Sequence, residues 1–197
     1  MSGGGGGARV VVVSGPTGVG KTTVCARLVE GGGFARVITA TTRAPRGGEQ
    51  DGRDYLFLSR ASFLAGIEAG RFLEWAVVHG RDHYGTPRDQ VEAALARGEH
   101  ALLNIDVQGA EQLRSRGLPL TTFFLRPPEP WRESLLARLA RRGDTTPELV
   151  ERRMQTATRE MSEAARYDHQ VVNDQLERCV GEIRRLLDAA ASAEPAS

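Results

Sequence analysis

Short, continuously apolar runs alternate along the chain with segments of helical periodicity. The apolar runs lie at 9–14 (RVVVVS), 37–41, 100–106 (HALLNID), 121–126 (TTFFLR) and 169–172. Runs of this kind are typical of strands in a parallel sheet that is covered on both faces. Helical periodicity occupies 21–31, 87–97, 107–116, 130–141, 147–166 and 174–189. The alternation predicts an α/β fold, a three-layer sandwich with right-handed crossovers between parallel strands.

Local signals mark where several of these helices begin and end. Thr86 before Pro87 and Thr146 before Pro147 each predict a helix start, with threonine as the N-cap and proline in the first turn. Glycine tolerates the left-handed conformation that often ends a helix. Three glycines follow helical segments and are predicted to end them: Gly98, Gly117 and Gly143.

The segment between the second and third apolar runs breaks the alternation. Two strand-like runs, 55–58 and 72–78, flank a short helical segment at 62–68. We therefore expect residues 43–85 to form a small, mixed α/β insert at the edge of the sheet. The glycine-rich residues 1–7 and residues 189–197 are expected to be disordered, which leaves one domain over 8–188.

Composition restricts the classes of function. Hydrophobic residues make up 40% of the chain and charged residues 26%, and no run approaches the roughly 20 apolar residues that a membrane span needs. A net charge of +1 predicts no general attraction to nucleic acid or to a membrane. Cys25 and Cys179 are too few and too far apart for a disulfide framework. With the absence of an apolar leader, these features predict a cytoplasmic protein.

A glycine-rich loop stands between the first predicted strand and the first predicted helix. The sequence GPTGVGKT at 15–22 fits the pattern G-x-x-x-x-G-K-[ST], in which backbone N–H groups and a helix N-terminus converge on phosphate oxygens. Its lysine is the one lysine of the chain, beside 25 arginines, and a mobile ammonium can bridge the β- and γ-phosphates of a nucleotide. The sequence therefore predicts a nucleoside triphosphate site at Gly15, Pro16, Thr17, Gly18, Val19, Gly20, Lys21, Thr22 and Thr23.

Two oxygen-bearing side chains are predicted to hold Mg²⁺ beside this loop. Thr22 offers a hydroxyl, and Asp106 ends the third apolar run, where a carboxylate can bind the ion directly or through water. An aspartate at that place is also a common helix N-cap, and that alternative stays open.

A second group of side chains indicates a phosphorylated acceptor. Arg43 and Arg46 flank a proline, and their guanidinium groups can bind a phosphate dianion bidentately. Tyr84 can add a hydroxyl to the same phosphate. Glu74 can accept two hydrogen bonds from guanine, whose N1–H and 2-amino group form a pair of donors that adenine lacks.

In these segments the chain resembles the guanylate kinase family. The matching stretches run in the family's order over residues 8–187: GPTGVGKTT (15–23), TTRAPRGGEQDGRDYLF (41–57), FLEWA (72–76), YGTP (84–87), NIDVQGA (104–110), RLARRGDTTPELVERRM (138–154) and VVND (171–174). The resemblance implies in-line transfer of phosphate from ATP to GMP, and to dGMP, with Mg²⁺. It also implies a five-stranded parallel P-loop kinase core at 8–42, 86–137 and 167–188, a GMP-binding insert at 43–85 and a helical lid at 138–166.

The resemblance also implies the roles of individual residues. Five are implied to act on the phosphates being exchanged: Lys21, Arg43, Arg138, Arg142 and Arg153. Asn173 is implied to lie near the adenine of ATP. The residues implied to bind GMP are Thr39, Arg43, Arg46, Tyr55, Glu74, Tyr84, Thr86, Asn104 and Asp106.

The chain departs from the family pattern at Asn104, in the loop at 80–84, and at Thr17 and Thr22, which replace serines common in the family and keep a hydroxyl. Asn104 stands where the family usually has an acid, so that hydrogen bonding is kept and a negative charge is lost, and the loop at 80–84 is one residue longer. Two other readings stay open: a kinase for another monophosphate or a phosphorylated sugar, and a non-catalytic guanylate-kinase-like interaction module, which the intact loop disfavours. Monomer and homodimer both stay open. Most other arginines, with Arg116 and Arg184 among them, are expected to bind only water.

Overall fold

The computed structural model describes residues 7–78, 80–141 and 146–192. In chain order its strands are β1 (Val10–Ser14), β2 (Phe34–Arg36), β3 (Ala40–Thr41), β4 (Leu56–Phe57), β5 (Phe72–Val78), β6 (Asp82–Pro87), β7 (His100–Asn104), β8 (Leu120–Arg126) and β9 (His169–Val172). Its helices are α1 (Lys21–Glu30), α2 (Arg60–Glu68), α3 (Arg88–Ala96), α4 (Val107–Ser115), α5 (Trp131–Ala140), α6 (Pro147–Ser162) and α7 (Leu176–Ser192), with a 3₁₀ turn at Ala164–Arg166.

The predicted parallel core sheet is confirmed. Its five strands lie in the order β2-β7-β1-β8-β9, and every pair is parallel. Successive side chains of a strand point to opposite faces, so Val11 and Val13 pack on the side of α1 and α7, while Val10 and Val12 pack on the side of α3 and α4. Because helices cover both faces, the strands are apolar throughout, and the fold is the predicted three-layer sandwich.

A second sheet forms the predicted mixed insert. Its strands lie in the order β4-β3-β6-β5, with β3 parallel to β4 and antiparallel to β6, and with β5 and β6 as an antiparallel pair. Helix α2 closes this unit by burying Phe63 against Phe72, with ring centroids 4.4 Å apart. The unit therefore runs from β3 to β6, a few residues wider at each end than the predicted 43–85.

The predicted strand at 37–41 is wrong in its bounds. The core strand is β2, which is anchored by Phe34, buried beside the His100 ring at 5.1 Å. Val37 N still donates to Leu102 O, but Ile38 N donates to the Gln90 side chain at 2.8 Å. The chain leaves the core sheet at this point, and β3 belongs to the insert.

Thr86 is not the predicted helix cap. It lies in β6 opposite Glu74, and Pro87 is the N-cap residue of α3. The predicted cap at Thr146 is confirmed, because its side chain accepts from Leu149 N. Gly98 and Gly117 follow their helices at φ +73° and φ +67°, as predicted for helix ends, whereas Gly143 lies outside the described residues.

Three further expectations concern the C-terminal helix, the two cysteines and two of the arginines. Helix α7 continues to Ser192, beyond the predicted start of the C-terminal tail at 189, because its alanine-rich end keeps high helix propensity. Cys25 and Cys179 are buried and unpaired, as predicted. Arg184 and Arg116 do more than bind water, since Arg184 donates to Leu28 O at 2.7 Å and Arg116 donates to Leu73 O. Among the described helices, none is both long and apolar enough to cross a bilayer.

Candidate active site

The carboxyl ends of β1 and β7 face the second sheet across a cavity of about 260 Å³, which we call the central cavity. The strand order of the core reverses at β1, and open α/β sheets bind ligands at such switch points. The walls of the cavity are formed by Lys21, Thr22, Thr39, Tyr55, Glu74, Ala76, Tyr84, Asn104, Ile105, Asp106 and Gly109. Side chains from the phosphate loop (residues 15–22) and from the predicted acceptor group therefore line one space.

Two glycines allow the phosphate loop to curl between β1 and α1. Gly15 has φ +143°, and a Cβ there would lie 2.5 Å from Leu125 O. Gly20, the N-cap residue of α1, has φ +103°, and a Cβ there would lie 2.6 Å from Asn173 Nδ2. No other residue type fits both conditions. The curl ends at the N-terminus of α1, where backbone N–H groups and the helix dipole favour an anion.

The ammonium of Lys21 lies over the phosphate loop. Its Nζ donates to Gly15 O at 2.5 Å and to Pro16 O at 3.4 Å. The same side chain lines the central cavity. A point charge on a four-carbon stem can therefore exchange loop carbonyls for phosphate oxygens without moving the backbone.

Two residues that are distant in sequence brace the phosphate loop by donating hydrogen bonds to its backbone. Val19 O accepts from Arg138 NH1 at 2.7 Å and from Asn173 Nδ2 at 2.8 Å, and Arg138 NH2 also donates to Asn173 O. Asn173 is only 7% exposed. In this structure, both predicted nucleotide contacts, Arg138 and Asn173, bind the loop itself.

Glu74 is a buried carboxylate at the wall of the central cavity. It is 3% exposed, and its Oε1 accepts from the Thr86 hydroxyl at 2.6 Å. A Cβ on Gly109 would lie 3.4 Å from its Oε2, so the absence of a side chain there leaves room beside the carboxylate. Burial raises the pKa of Glu74 from 4.5 to about 7, and the nearby Asp106 adds to the shift while the Thr86 hydrogen bond opposes it. This contact brings Glu74 and Thr86 together, and their role in binding GMP stays a prediction.

The guanidinium of Arg43 is held rigidly beside two tyrosines. Its Nε donates to Tyr84 Oη at 3.1 Å, its NH2 donates to both oxygens of Glu49 at 2.9 Å, and its Cζ lies 5.3 Å from the Tyr55 ring centroid. Because Tyr84 Oη accepts from Arg43, the hydroxyl can direct its own proton to a phosphate oxygen. Burial raises the pKa of Tyr55, which keeps this second phenol protonated.

Three polar side chains meet between the loop and the end of β7. Asp106 is the N-cap of α4, with its Oδ1 accepting from Gly109 N at 2.9 Å. Asn104 Nδ2 donates to Thr22 Oγ1 at 3.4 Å. The cap reading of Asp106 is therefore correct, and the same carboxylate lines the central cavity beside Thr22. A metal role stays a prediction.

A larger opening, which we call the basic cleft, lies between the loop, the insert and α6. It has a volume of about 690 Å³ and is lined by Thr17, Lys21, Arg46, Arg81, Asp106, Leu149, Arg152, Arg153, Thr156 and Glu160. Lys21, Arg46 and Arg153 thus line one opening, and their roles stay predictions. Arg142 lies outside the described residues.

Known proteins are similar in sequence to nearly the whole chain. The guanylate kinase family model matches residues 7–190. The guanylate kinase of Gloeobacter violaceus is 46% identical over 189 residues, covering 95% of this chain and 91% of that protein. The guanylate kinase of Nocardia farcinica is 47% identical over 173 residues, covering 85% of this chain and 87% of that protein. The chain belongs to the guanylate kinase family.

Solved structures agree with this membership. The crystal structure of guanylate kinase from Anaplasma phagocytophilum superposes with a TM-score of 0.74 at 31% identity, covering 94% of this chain and 87% of that one. A gluconokinase from Sinorhizobium meliloti gives a TM-score of 0.51 at 18% identity, covering 95% of this chain and 94% of that one. The second likeness is one of fold alone.

Three residues of this guanylate kinase family site were missed by sequence reasoning. Glu49 holds Arg43, Gly109 leaves space beside Glu74, and Glu160 accepts from Thr17 N at 3.1 Å. Glu49 and Gly109 lie within matched motif stretches, which was the available signal. Glu160 lies beyond the matched stretch 138–154 and carried no such signal.

Proposed function

We propose that the protein carries out the reaction of its family, the transfer of the γ-phosphate of ATP to GMP, and that it also accepts dGMP. The observation that supports this most directly is the central cavity, where Lys21 and Thr22 of the phosphate loop share one space with Glu74 and Tyr84 of the insert. A donor site and an acceptor site that open on the same cavity allow two phosphate groups to meet end to end.

Guanine is the base that fits the carboxylate of Glu74. One oxygen of that carboxylate is engaged by Thr86, and the other faces the space beside Gly109. The N1–H and 2-amino groups of guanine can donate to an ionised carboxylate, whereas adenine presents an acceptor at the matching position. Thr39 lines the same cavity and is assigned a second polar contact with the base.

The GMP phosphate is assigned to Tyr55 and Tyr84 on the wall of the central cavity and to Arg43 and Arg46, which lie outside that wall. Tyr55 and Tyr84 present phenol hydroxyls there, Arg43 holds both rings in place, and Arg46 lines the basic cleft beside them. Hydrogen bonds between guanidinium and phosphate are charge-assisted, and they favour the dianion.

ATP is assigned to the phosphate loop, with its terminal phosphates directed toward the basic cleft. Lys21 there and Arg153 on α6 offer positive charge to the group in transit. Arg138 and Arg142 are assigned to the same phosphates, and Asn173 to the adenine side, on the family resemblance. Mg²⁺ fits the donor set, because Thr22 and Asp106 present the hard oxygen ligands that it prefers. When bound, this ion would neutralise charge on the phosphate oxygens.

The chemistry needs little from the protein beyond position and charge. A GMP phosphate oxygen is already anionic at neutral pH, so no side chain has to remove a proton before in-line attack. Lys21, Arg153 and the loop N–H groups would stabilise charge on the moving phosphoryl group.

The test removes the ammonium and keeps the fold. Lys21→Ala is expected to lower kcat for GMP by about 10³-fold, with an unchanged unfolding temperature. The matched control is Arg60→Ala, an exposed cation on α2 away from both openings, which should retain wild-type turnover. Wild-type protein should also prefer GMP and dGMP over AMP and UMP in a coupled assay. Near-normal turnover of Lys21→Ala, or equal rates for AMP and GMP, would refute the proposal.

A further inference from the structure

A carboxylate of α6 accepts a hydrogen bond from a backbone N–H of the phosphate loop. Glu160 Oε2 accepts from Thr17 N at 3.1 Å, across 143 residues of sequence. Within the described ranges, Glu74 and Glu160 are the two acidic side chains that are buried, and Glu160 is 7% exposed. Nothing in the family motif or in the proposed reaction assigns Glu160 a task.

Burial of this carboxylate is costly and needs a compensating benefit. Desolvation raises the pKa of Glu160, while the charge of Lys21 and the Thr17 hydrogen bond oppose the rise. A single backbone N–H does not replace the hydration of an ionised carboxylate. A buried glutamate in contact with the loop indicates that the contact serves the loop rather than the stability of the core.

The helix that carries Glu160 also carries Arg153. Residues seven apart lie on the same face of an α-helix, and both side chains line the basic cleft with Lys21. Next to this face, Met154 and Ala157 pack α6 against Leu135 and Leu139 of α5. Those hydrophobic contacts fix α6 against α5, and the Glu160 contact fixes it against the phosphate loop.

We propose that Glu160 is a positioning residue, which fastens α6 to the phosphate loop at Thr17 and thereby sets where Arg153 meets the transferring phosphate. This inference rests on the proposed function, because that function places the transferring phosphate at Arg153. It predicts an effect on the chemical step and none on GMP recognition, because Glu160 is not part of the wall of the central cavity.

The experiment compares Glu160→Ala, Glu160→Leu and Glu160→Gln in steady-state kinetics. Alanine and leucine remove the acceptor, and kcat should fall about tenfold with KM for GMP unchanged. Glutamine keeps an acceptor oxygen and should hold kcat within about threefold of wild type. Leucine fills the buried volume and keeps the test valid if the alanine variant unfolds. The control is Glu151→Ala on the exposed face of the same helix, which should behave as wild type.

A double-mutant cycle separates positioning from a structural role. If Glu160 acts through Arg153, then Glu160→Leu should reduce kcat no further in an Arg153→Ala background. Independent, multiplicative losses would overturn the inference, and so would an unchanged kcat in both the alanine and leucine variants. These outcomes are read against wild-type GMP kinase activity, so failure of the proposed function itself would show separately as an inactive wild type.

Discussion

Replacing Glu74 by glutamine tests base recognition with the smallest change in shape. The carboxylate is 3% exposed, and one oxygen accepts from the Thr86 hydroxyl at 2.6 Å. In the variant, one of the two acceptor oxygens becomes an NH2 group. An NH2 group that faces a guanine N–H is a clash of two donors, and the remaining bond loses its charge assistance.

The size of the effect follows from the bonds that are lost. A hydrogen bond to a charged partner contributes about 1.5–3 kcal/mol, so losing one bond and weakening the other costs about 3 kcal/mol. That cost corresponds to a fall of about 10²-fold in kcat/KM for GMP. The variant should remain folded, because an amide is easier to bury than a carboxylate. The control is Glu92→Gln on the exposed side of α3, which should change neither quantity.

The pH dependence gives an independent check on the same group. Burial raises the pKa of Glu74 from 4.5 to about 7, so the folded state binds a proton more tightly than the unfolded state does. The contribution of Glu74 to the free energy of unfolding is therefore fully present below about pH 4.5. It falls by roughly 3 kcal/mol as pH rises to about 7. Ionised Glu74 binds guanine, so GMP affinity should rise over the upper part of that range.

Two measurements test this pH dependence of stability and of GMP affinity. Urea unfolding at pH 5 and pH 8 should show a larger loss of stability for wild type than for Glu74→Gln. Titration calorimetry of GMP over the same range should show a steeper rise in affinity for wild type, since the nucleotide's own phosphate titrates equally with both proteins. Wild-type kcat/KM in the variant, or identical pH profiles, would refute the reasoning.

Three other variants test separate parts of the site. Arg43→Lys keeps the charge but loses the fork that binds Tyr84 and Glu49, so steady-state kinetics should show KM for GMP raised about 10- to 100-fold, and an unchanged KM would contradict this. Gly15→Ala places a Cβ 2.5 Å from a backbone oxygen at φ +143°, so urea unfolding should show a loss of about 3 kcal/mol, and wild-type stability would rule the strain out. Asn173→Ala removes a brace on Val19 O, so calorimetry should show inorganic triphosphate weakened as much as ATP; a loss confined to ATP would assign Asn173 to the adenine instead.

The local parts of this site could be predicted from the sequence. The phosphate loop lies where the motif placed it, because its glycines act through their own backbone angles and through the close approach of Gly15 to Leu125 and of Gly20 to Asn173. Four of the five core strands, β1, β7, β8 and β9, were also predictable, since burial on both faces leaves an apolar run. These features depend on few distant contacts, and the sequence pattern records them directly.

Other parts depend on pairing that the sequence does not display. Strand β6 reads DHYGTP, without the alternation typical of a strand, and it forms because β5 and β3 flank it on either side. That pairing converts Thr86 from an expected helix cap into the partner of Glu74. Taken alone, Glu74 reads as a solvated strand carboxylate, and it is buried only in the assembled fold, where Gly109 of α4 lies beside it.

The bracing of the phosphate loop explains why distant residues belong to one site. The loop accepts bonds at Val19 O from Arg138 and Asn173, and it donates one at Thr17 N to Glu160. Each brace comes from a different segment, so the curl that the loop's own glycines permit is held in place by the assembled fold. A loop held in shape before the nucleotide arrives loses little conformational entropy on binding, and its N–H groups need no reorientation as charge develops. An intact motif in a chain that lacked these braces would therefore bind phosphate more weakly, which is why the motif alone does not measure the quality of the site.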